Sequence, residues 1–186
     1  RFLTLPLIKG GMGVGISRSN LAGAVAREGA MGTVSTAQIG YDLPGFASDE
    51  EGCNERAIAL HIQKARVLSE GHGMVAVNVM TALRHYREHV TAAVRSGADA
   101  VICGAGLPLD LPALVQAAAD SADITRPLIA PIVSSARAAS LLLRSWDQKY
   151  QTTADFLVAE GPLAGGHLGF SEQELASPET IGFDQR

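Results

Sequence analysis

The chain has 186 residues, of which 47% are hydrophobic and 18% are charged, and its formal net charge is −4. This composition is typical of one well-packed globular domain. The negative charge, without a cluster of lysine and arginine, argues against a nucleic-acid-binding protein, and the apolar runs are too short to cross a membrane.

The two cysteines and the start of the chain predict a reduced, cytoplasmic protein. Cys53 and Cys103 are far apart and neither belongs to a CxxC motif. The first residues do not resemble a signal peptide. Because the chain starts with Arg1 rather than Met and enters an apolar run within a few residues, we expect it to be cut at the front.

Short apolar segments alternate with helical patterns along the whole chain. The predicted elements are, in order, strand Leu3–Ile8, a helix capped by Ser19 or Asn20, strand Met31–Ser35, a helix from Asn54 or Glu55 to Gly71, strand Met74–Asn78, a helix through Tyr86 and Val94, strand Asp99–Cys103, a helix capped by Asp110, strand Pro127–Val133, a helix to Trp146 and a strand from Phe156. Continuously apolar strands alternating with amphipathic helices predict an α/β fold with a parallel, helix-covered sheet.

Two architectures fit this alternation, the open doubly wound sheet and the closed (β/α)8 barrel. A GxGxxG motif starting at Gly11 would meet Ile16 at its third glycine, and one starting at Gly13 would meet Arg18. No GxxxxGK[ST] motif occurs either. Small or polar residues follow most predicted strands, which favours one continuous site at the mouth of a barrel.

We therefore predict a TIM-like barrel, with residues 1–186 as a single domain. The sequence provides about six βα units, whereas a closed barrel needs eight strands. Unless the sheet is open, we expect the chain to be truncated after the sixth unit and incomplete at its C-terminus.

The last predicted strand runs into a glycine-rich turn that carries His167. The glycines allow close approach of a ligand, and histidine has the side-chain pKa nearest neutrality, which suits it to proton transfer. A loop histidine bonded to a neighbouring carbonyl fits this stretch equally well.

Seven segments resemble the nitronate monooxygenase (2-nitropropane dioxygenase) family of FMN-dependent barrels. They are Pro6–Gly13, Leu21–Val25, Gly32–Ser35, Val77–Met80, Gly104–Pro108, Ala130–Ser135 and Glu160–Gly169. The paired GGM and AGGH motifs are fairly specific to this family and its relatives, which include flavin-dependent enoyl-acyl-carrier-protein reductases. The resemblance implies a TIM-like barrel with FMN across its C-terminal mouth.

The resemblance also implies roles for individual residues. His167 would be the catalytic base that deprotonates a nitroalkane or assists oxidation of its nitronate. The expected flavin-binding residues are Gly11, Met12 and Gly13 through their backbone, Asn78 through a hydrogen bond, Gly104 and Gly106 beside the ring, and Gly165 and Gly166 in the turn that holds His167. Glu160 would orient His167 or bond a ribityl hydroxyl.

Several of these residues also have simpler interpretations. Asn78 could tie two strand ends together, and Met12 could fill the core. His85 and His89 are spaced to share a helix face, but the sequence shows no carboxylate or cysteine partner, so we predict a solvated face and no metal site. Cys103 is predicted to be an inert core residue and Asp110 a helix cap.

The resemblance predicts oxidation of alkyl nitronates by O₂, with FMN as cofactor and a nitronate or nitroalkane as substrate. An NAD(P)H-dependent flavin reductase, such as an enoyl-thioester reductase, is the enzyme alternative, and a non-catalytic flavin-binding module is the alternative of another class. The sequence leaves a homo-oligomer open. Because such barrels bind the FMN phosphate after strands seven and eight, we expect the isolated chain to hold FMN poorly.

Overall fold

A parallel five-stranded sheet forms the centre of this computed structural model, which describes residues 2–166 and 169–176. The strands are β1 Met31–Ser35, β2 Met74–Met80, β3 Ala100–Gly104, β4 Leu128–Val133 and β5 Val158–Ala159. They pair in the order β1-β2-β3-β4-β5. Because each strand lies beside the next one in sequence, the sheet winds in one direction as a barrel wall does, without the reversal of a doubly wound sheet.

Helices connect consecutive strands. They are α1 Ser19–Arg27, which precedes β1, then α2 Glu50–Leu68, α3 Tyr86–Arg95, α4 Leu111–Ala122, α5 Ala136–Tyr150 and the short α6 Glu172–Leu175. This alternation confirms the predicted α/β class and the TIM-like winding of the sheet. In the described residues, no helix combines the length and the hydropathy needed to cross a bilayer.

The two faces of the sheet pack in different ways. On β2, Val75, Val77 and Val79 belong to the main core, together with buried residues of α1 to α5 such as Trp146. Ala76 faces the other way and joins a smaller cluster built mostly from strand residues. Alternation of side chains along a strand produces this division, so the helices cover one face and the other lines the inside of the curved wall.

The first predicted strand, Leu3–Ile8, is mostly wrong. Ile8 makes an isolated parallel bridge to Met31, supported by hydrogen bonds from Met31 N–H to the Leu7 carbonyl at 2.9 Å and from Lys9 N–H to the Met31 carbonyl at 3.0 Å. Pro6 has no N–H to donate, which limits further pairing in this segment. In the described residues, the structure therefore has five strands and one isolated bridge where the sequence predicted six strands.

The predicted helix starts also need correction. Helix α2 begins at Glu50, because the Asp49 carboxylate caps it by accepting the Gly52 N–H at 2.9 Å. Asn54, one of the two predicted first residues, is buried inside the helix and its Oδ1 accepts the Gly40 N–H. Helix α1 has Arg18 at its N-cap, so neither predicted residue caps it. Asp110 is the N-cap of α4 but makes no side-chain capping bond.

Two aspartates bind backbone N–H groups near the amino ends of the strands. Asp99 Oδ2 accepts the N–H of Val75 at 2.8 Å, and Asp155 Oδ2 accepts the N–H of Ile129 at 2.7 Å. In both cases the aspartate precedes one strand and binds a residue in the neighbouring strand. Charge-assisted bonds of this kind fix the alignment of adjacent strands at that end of the sheet.

We predict that Asp155→Ala lowers the free energy of unfolding by about 1–3 kcal/mol, because it leaves the Ile129 N–H without its acceptor. The matched control is Arg126→Gln, which breaks the 3.0 Å ion pair with Asp155 and keeps the strand contact. A half-exposed ion pair is worth less, so the control should lose under about 1 kcal/mol. Urea unfolding measures both values, and equal losses would contradict the proposed role of the backbone contact.

Candidate active site

The carboxyl ends of the strands bring together most of the predicted site residues. Ser35 of β1 lies opposite Asn78 of β2, and Met80 of β2 lies opposite Gly104 of β3. We call this region the strand-end rim. It comprises residues 10–17, 35–37, 78, 104–106 and 160.

Gly11 lies directly on the side chain of Asn78. A Cβ atom added at residue 11 would come within 2.5 Å of Asn78 Cβ and 3.0 Å of its Oδ1. Carbon atoms do not approach each other this closely without bonding, so only glycine permits the contact. The structure therefore brings the glycine loop, residues 10–17, into contact with the carboxamide residue Asn78, although the two are far apart in the sequence.

The next glycine is held against the turn after β1. A Cβ atom at Gly13 would lie 2.9 Å from Ala37 Cβ, and the Val14 N–H donates to the Ala37 carbonyl at 3.1 Å. Val14 and Gly15 both have positive φ, at 49° and 82°. These angles turn the chain back from the rim toward α1.

Ser17 fastens the glycine loop from inside the protein. It is 1% exposed, and its Oγ accepts hydrogen bonds from the Met12 N–H at 2.8 Å and from the Lys9 ammonium group. Lys9 also donates to the Thr33 carbonyl at 3.3 Å, and burial lowers the pKa of Lys9. The Met12 N–H is therefore occupied, whereas the Met12 side chain is 57% exposed.

Polar groups at the rim remain available to a ligand. Asn78 is half-buried, and its Nδ2 reaches the Ile102 carbonyl only at 3.5 Å, which makes a weak bond. Its Oδ1 accepts no hydrogen bond from the part of the chain that the structure describes. Within the same residues, the backbone N–H groups of Gly11 and Gly13 have no acceptor.

The glycines after β3 lie at the rim with different surroundings. Gly104 is buried, and a Cβ atom there would lie 2.9 Å from Ile132 Cδ1 on β4. Gly106 is exposed, has φ of 130° and lies beside Thr81, whose N–H donates to the Gly104 carbonyl at 2.8 Å. Close packing of β3 on β4 explains Gly104, and the role of both glycines beside a flavin remains a prediction.

Glu160 accepts a hydrogen bond from the glycine-rich segment that carries the predicted base, His167. Its Oε2 accepts the N–H of Gly169 at 3.0 Å, and Ser134 Oγ donates to the Gly169 carbonyl at 2.9 Å. Gly165 and Gly166 are exposed, and Gly166 has φ of 95°. His167 itself lies outside the described residues. Glu160 therefore contacts the far end of the turn that bears His167.

The predicted solvated face of His85 and His89 is wrong. His89 is only 3% exposed and its Nδ1 lies 3.1 Å from Thr36 Oγ1. His85 is half-buried, with Glu51 at 3.4 Å and Glu88 nearby, so carboxylate partners that the sequence did not reveal are present. Acidic residues in the first turn of a helix are stabilised by its dipole, which explains both glutamates without a metal.

Cys103 and Asp110 make contacts that are typical of structural residues. Cys103 is fully buried, which confirms the core position that the sequence predicted, and burial raises the pKa of its thiol. Asp110 forms an ion pair with Arg87 at 2.5 Å. Neither residue belongs to the strand-end rim.

Two shallow depressions lie elsewhere on the surface. One is on the outside of α5, beside Arg137 and Arg144, and the other is near Gly29 and His72. Ligand sites of barrel sheets lie at the carboxyl ends of the strands, and neither depression includes these ends. We therefore place the candidate site at the strand-end rim.

Comparison with known proteins identifies the family of this chain. The family model described as nitronate monooxygenase matches residues 2–182. The chain belongs to the nitronate monooxygenase family. A search of curated proteins found no match.

Solved structures show the same fold in a longer chain. FabK from Thermotoga maritima is 22% identical, with a TM-score of 0.60 over 89% of this chain. A mutant of the same protein is 20% identical, with a TM-score of 0.65 and the same coverage. This chain spans 43% and 45% of the length of those two chains, so it corresponds to less than half of either.

Sequence reasoning missed the residues that support the rim from behind. Lys9, Ser17 and Thr36 all make contacts there, but their spacing follows neither a strand nor a helix period. The sequence analysis gave no role to Ser17, which lies just before the predicted helix caps Ser19 and Asn20. His89 was missed because helical spacing identifies a shared face and does not say whether that face is buried.

Acid should destabilise the protein through His89. Burial lowers the pKa of His89 from 6.5 to about 4. Between these values the unfolded state binds more protons, so stability is present above the higher value and is lost as the pH falls toward the lower one. From about pH 7 to about pH 5 we expect a loss of about 2 kcal/mol from this residue.

Urea unfolding of the protein and of His89→Asn at the two pH values measures this contribution. The variant should lose less stability on acidification, because it has no imidazole at this position. His61, whose pKa burial also lowers, titrates in both proteins and cancels in the comparison. The same acid dependence in both proteins would contradict the assignment.

Proposed function

We propose that the strand-end rim binds the isoalloxazine ring of FMN and that the protein is a flavin-dependent oxidoreductase. The observation that carries the proposal is the contact of Gly11 with the Asn78 side chain, which places a glycine whose N–H has no acceptor in the described residues against a carboxamide. Membership of the nitronate monooxygenase family supports the choice of flavin.

The groups present fit such a ring. An isoalloxazine has apolar faces and an edge of hydrogen-bond donors and acceptors, so it needs flat walls and a few neutral polar groups. Gly11 and Gly13 offer N–H donors, and Asn78 offers both a donor and an acceptor. The exposed Met12 side chain offers apolar, polarisable contact. This donor set suits a neutral ring edge.

The reaction we propose is oxidation of an alkyl nitronate by O₂ to a carbonyl compound and nitrite. Bound FMN would supply the electron-transfer chemistry. Where the substrate is a nitroalkane, His167 would take its α-proton to give the nitronate, and the hydrogen bond that Glu160 accepts from Gly169 would keep the end of the His167 segment in place. Both cysteines are free and buried, which supports a reducing, cytoplasmic setting.

A second candidate is an NAD(P)H-dependent flavin reductase that acts on enoyl thioesters. The fold shared with FabK favours it. Anaerobic mixing of the FMN-saturated protein with a nitronate or with NADH separates the two. Flavin bleaching by nitronate without NADH supports nitronate oxidation, and rapid bleaching by NADH followed by enoyl reduction supports the second candidate.

His167→Ala should abolish most turnover of a neutral nitroalkane while FMN remains bound, whereas turnover of the preformed nitronate, which has no α-proton to lose, should fall less. Removing a general base typically costs about 10²–10⁴-fold in rate. Steady-state turnover at saturating FMN measures the effect, with His72→Ala as the control because His72 is exposed and its ring contacts the Arg27 carbonyl, away from the strand-end rim. Unchanged turnover of the nitroalkane in His167→Ala would overturn the assignment of the base.

A further inference from the structure

A buried hydrogen bond connects the helix layer to the strand-end rim. His89 of α3 has its Nδ1 3.1 Å from the Oγ1 of Thr36, the first residue after β1. Thr36 is fully buried and His89 is 3% exposed. Since neither side chain reaches the open rim, any effect on a ligand must pass through the residues that Thr36 holds.

Thr36 occupies the centre of the segment that holds the rim together. Its own N–H donates to the Asn78 carbonyl at 3.1 Å. The residue before it, Ser35, donates its N–H to the glycine loop, and the carbonyl of the residue after it, Ala37, accepts the N–H of Val14 in the same loop. A shift of Thr36 would therefore move Asn78 and the glycine loop together.

We propose that His89 is a positioning residue that acts through Thr36 to set the relative placement of Asn78 and the glycine loop. It does not contact the ligand. The consequence for FMN rests on the proposed function, because only a ligand of the rim would report this placement as a change in affinity.

The surroundings of His89 agree with a positional role. Its Nε2 is buried without a hydrogen-bond partner in the described part of the chain. An apolar side chain of similar size would avoid that desolvation cost. The imidazole therefore stabilises the protein less than an apolar side chain of similar size would. Its specific contribution is the hydrogen bond that orients the Thr36 hydroxyl.

The chain contains a matched control for this pair. His61 Nδ1 lies 3.0 Å from the Oγ of Ser19, and Ser19 is 2% exposed. This pair joins α2 to the first residue of α1, and it makes no direct hydrogen bond to Asn78 or to residues 35–37. Loss of this bond should affect helix packing and leave the rim unchanged.

The test compares Thr36→Val and His89→Leu with Ser19→Ala. Amide NMR spectra of the FMN-free proteins report the side-chain amide of Asn78 and the backbone amides of Gly11 and Gly13. Titration with FMN then gives the dissociation constant of each protein. We expect the first two variants to shift the three amide signals and to weaken FMN binding roughly tenfold, the scale of one buried hydrogen bond.

Conservative variants complete the test. Thr36→Ser keeps the hydroxyl and His89→Asn places an amide near the Nδ1 position, so both should restore the amide signals toward those of the parent protein. If His89→Leu does not fold, Thr36→Val and Thr36→Ser carry the comparison. Ser19→Ala should lose stability without changing the three signals or the dissociation constant.

Two results would overturn the proposal. One is unchanged Asn78, Gly11 and Gly13 signals in Thr36→Val, and the other is an equal change in Ser19→Ala. Weak binding of FMN is expected of this chain, and complete absence of FMN binding by the parent protein, even at millimolar FMN, would overturn the proposed function instead. The FMN-free spectra would still decide whether His89 positions the rim, so the two failures are distinguishable.

Discussion

The rim depends on the close contact between the Gly11 backbone and the Asn78 side chain. A methyl group at residue 11 would lie 2.5 Å from Asn78 Cβ, so the loop can cross the end of β2 only where the side chain is absent. The contact places Gly11, whose N–H has no acceptor in the described residues, against the Asn78 side chain. Ser17 holds the loop from one side of this contact, and Thr36 holds Asn78 from the other.

The two ends of the sheet serve different purposes. At the amino ends, Asp99 and Asp155 bind backbone N–H groups of adjacent strands, which aligns the strands and stabilises the fold. At the carboxyl ends, Asn78 and the glycine loop leave polar groups unpaired, which costs stability and makes them available to a ligand. This separation between a stabilising end and a functional end is typical of barrel sheets.

Much of the fold could be predicted from the sequence because buried parallel strands are continuously apolar. Strands β1 to β4 agree with the predicted segments to within one or two residues. Helix starts were less predictable, since Asp49 rather than Asn54 provides the cap, and side-chain type alone does not choose between two polar residues. The family resemblance pointed to Gly11 and Asn78 separately, and only the fold showed their contact.

The support behind the rim could not be predicted in the same way. Lys9 and Ser17 meet because the glycine loop turns back at Val14 and Gly15, and a turn of this kind leaves no periodic pattern. His89 and Thr36 are 53 residues apart and meet only because the fold brings a residue of α3 next to the residue that follows β1. Contacts of this type depend on tertiary packing, which local propensity does not encode.

The most direct test of the flavin site compares Gly11→Ala with Gly10→Ala. A Cβ atom at residue 10 meets nothing within 4 Å, whereas one at residue 11 collides with Asn78. The measurement is the dissociation constant for FMN, obtained by titration of flavin fluorescence. The flavin site at the rim predicts that Gly11→Ala weakens FMN binding by roughly tenfold or more, while Gly10→Ala, whose added methyl group meets no protein atom, weakens it far less. Equal affinity in the two variants would contradict it.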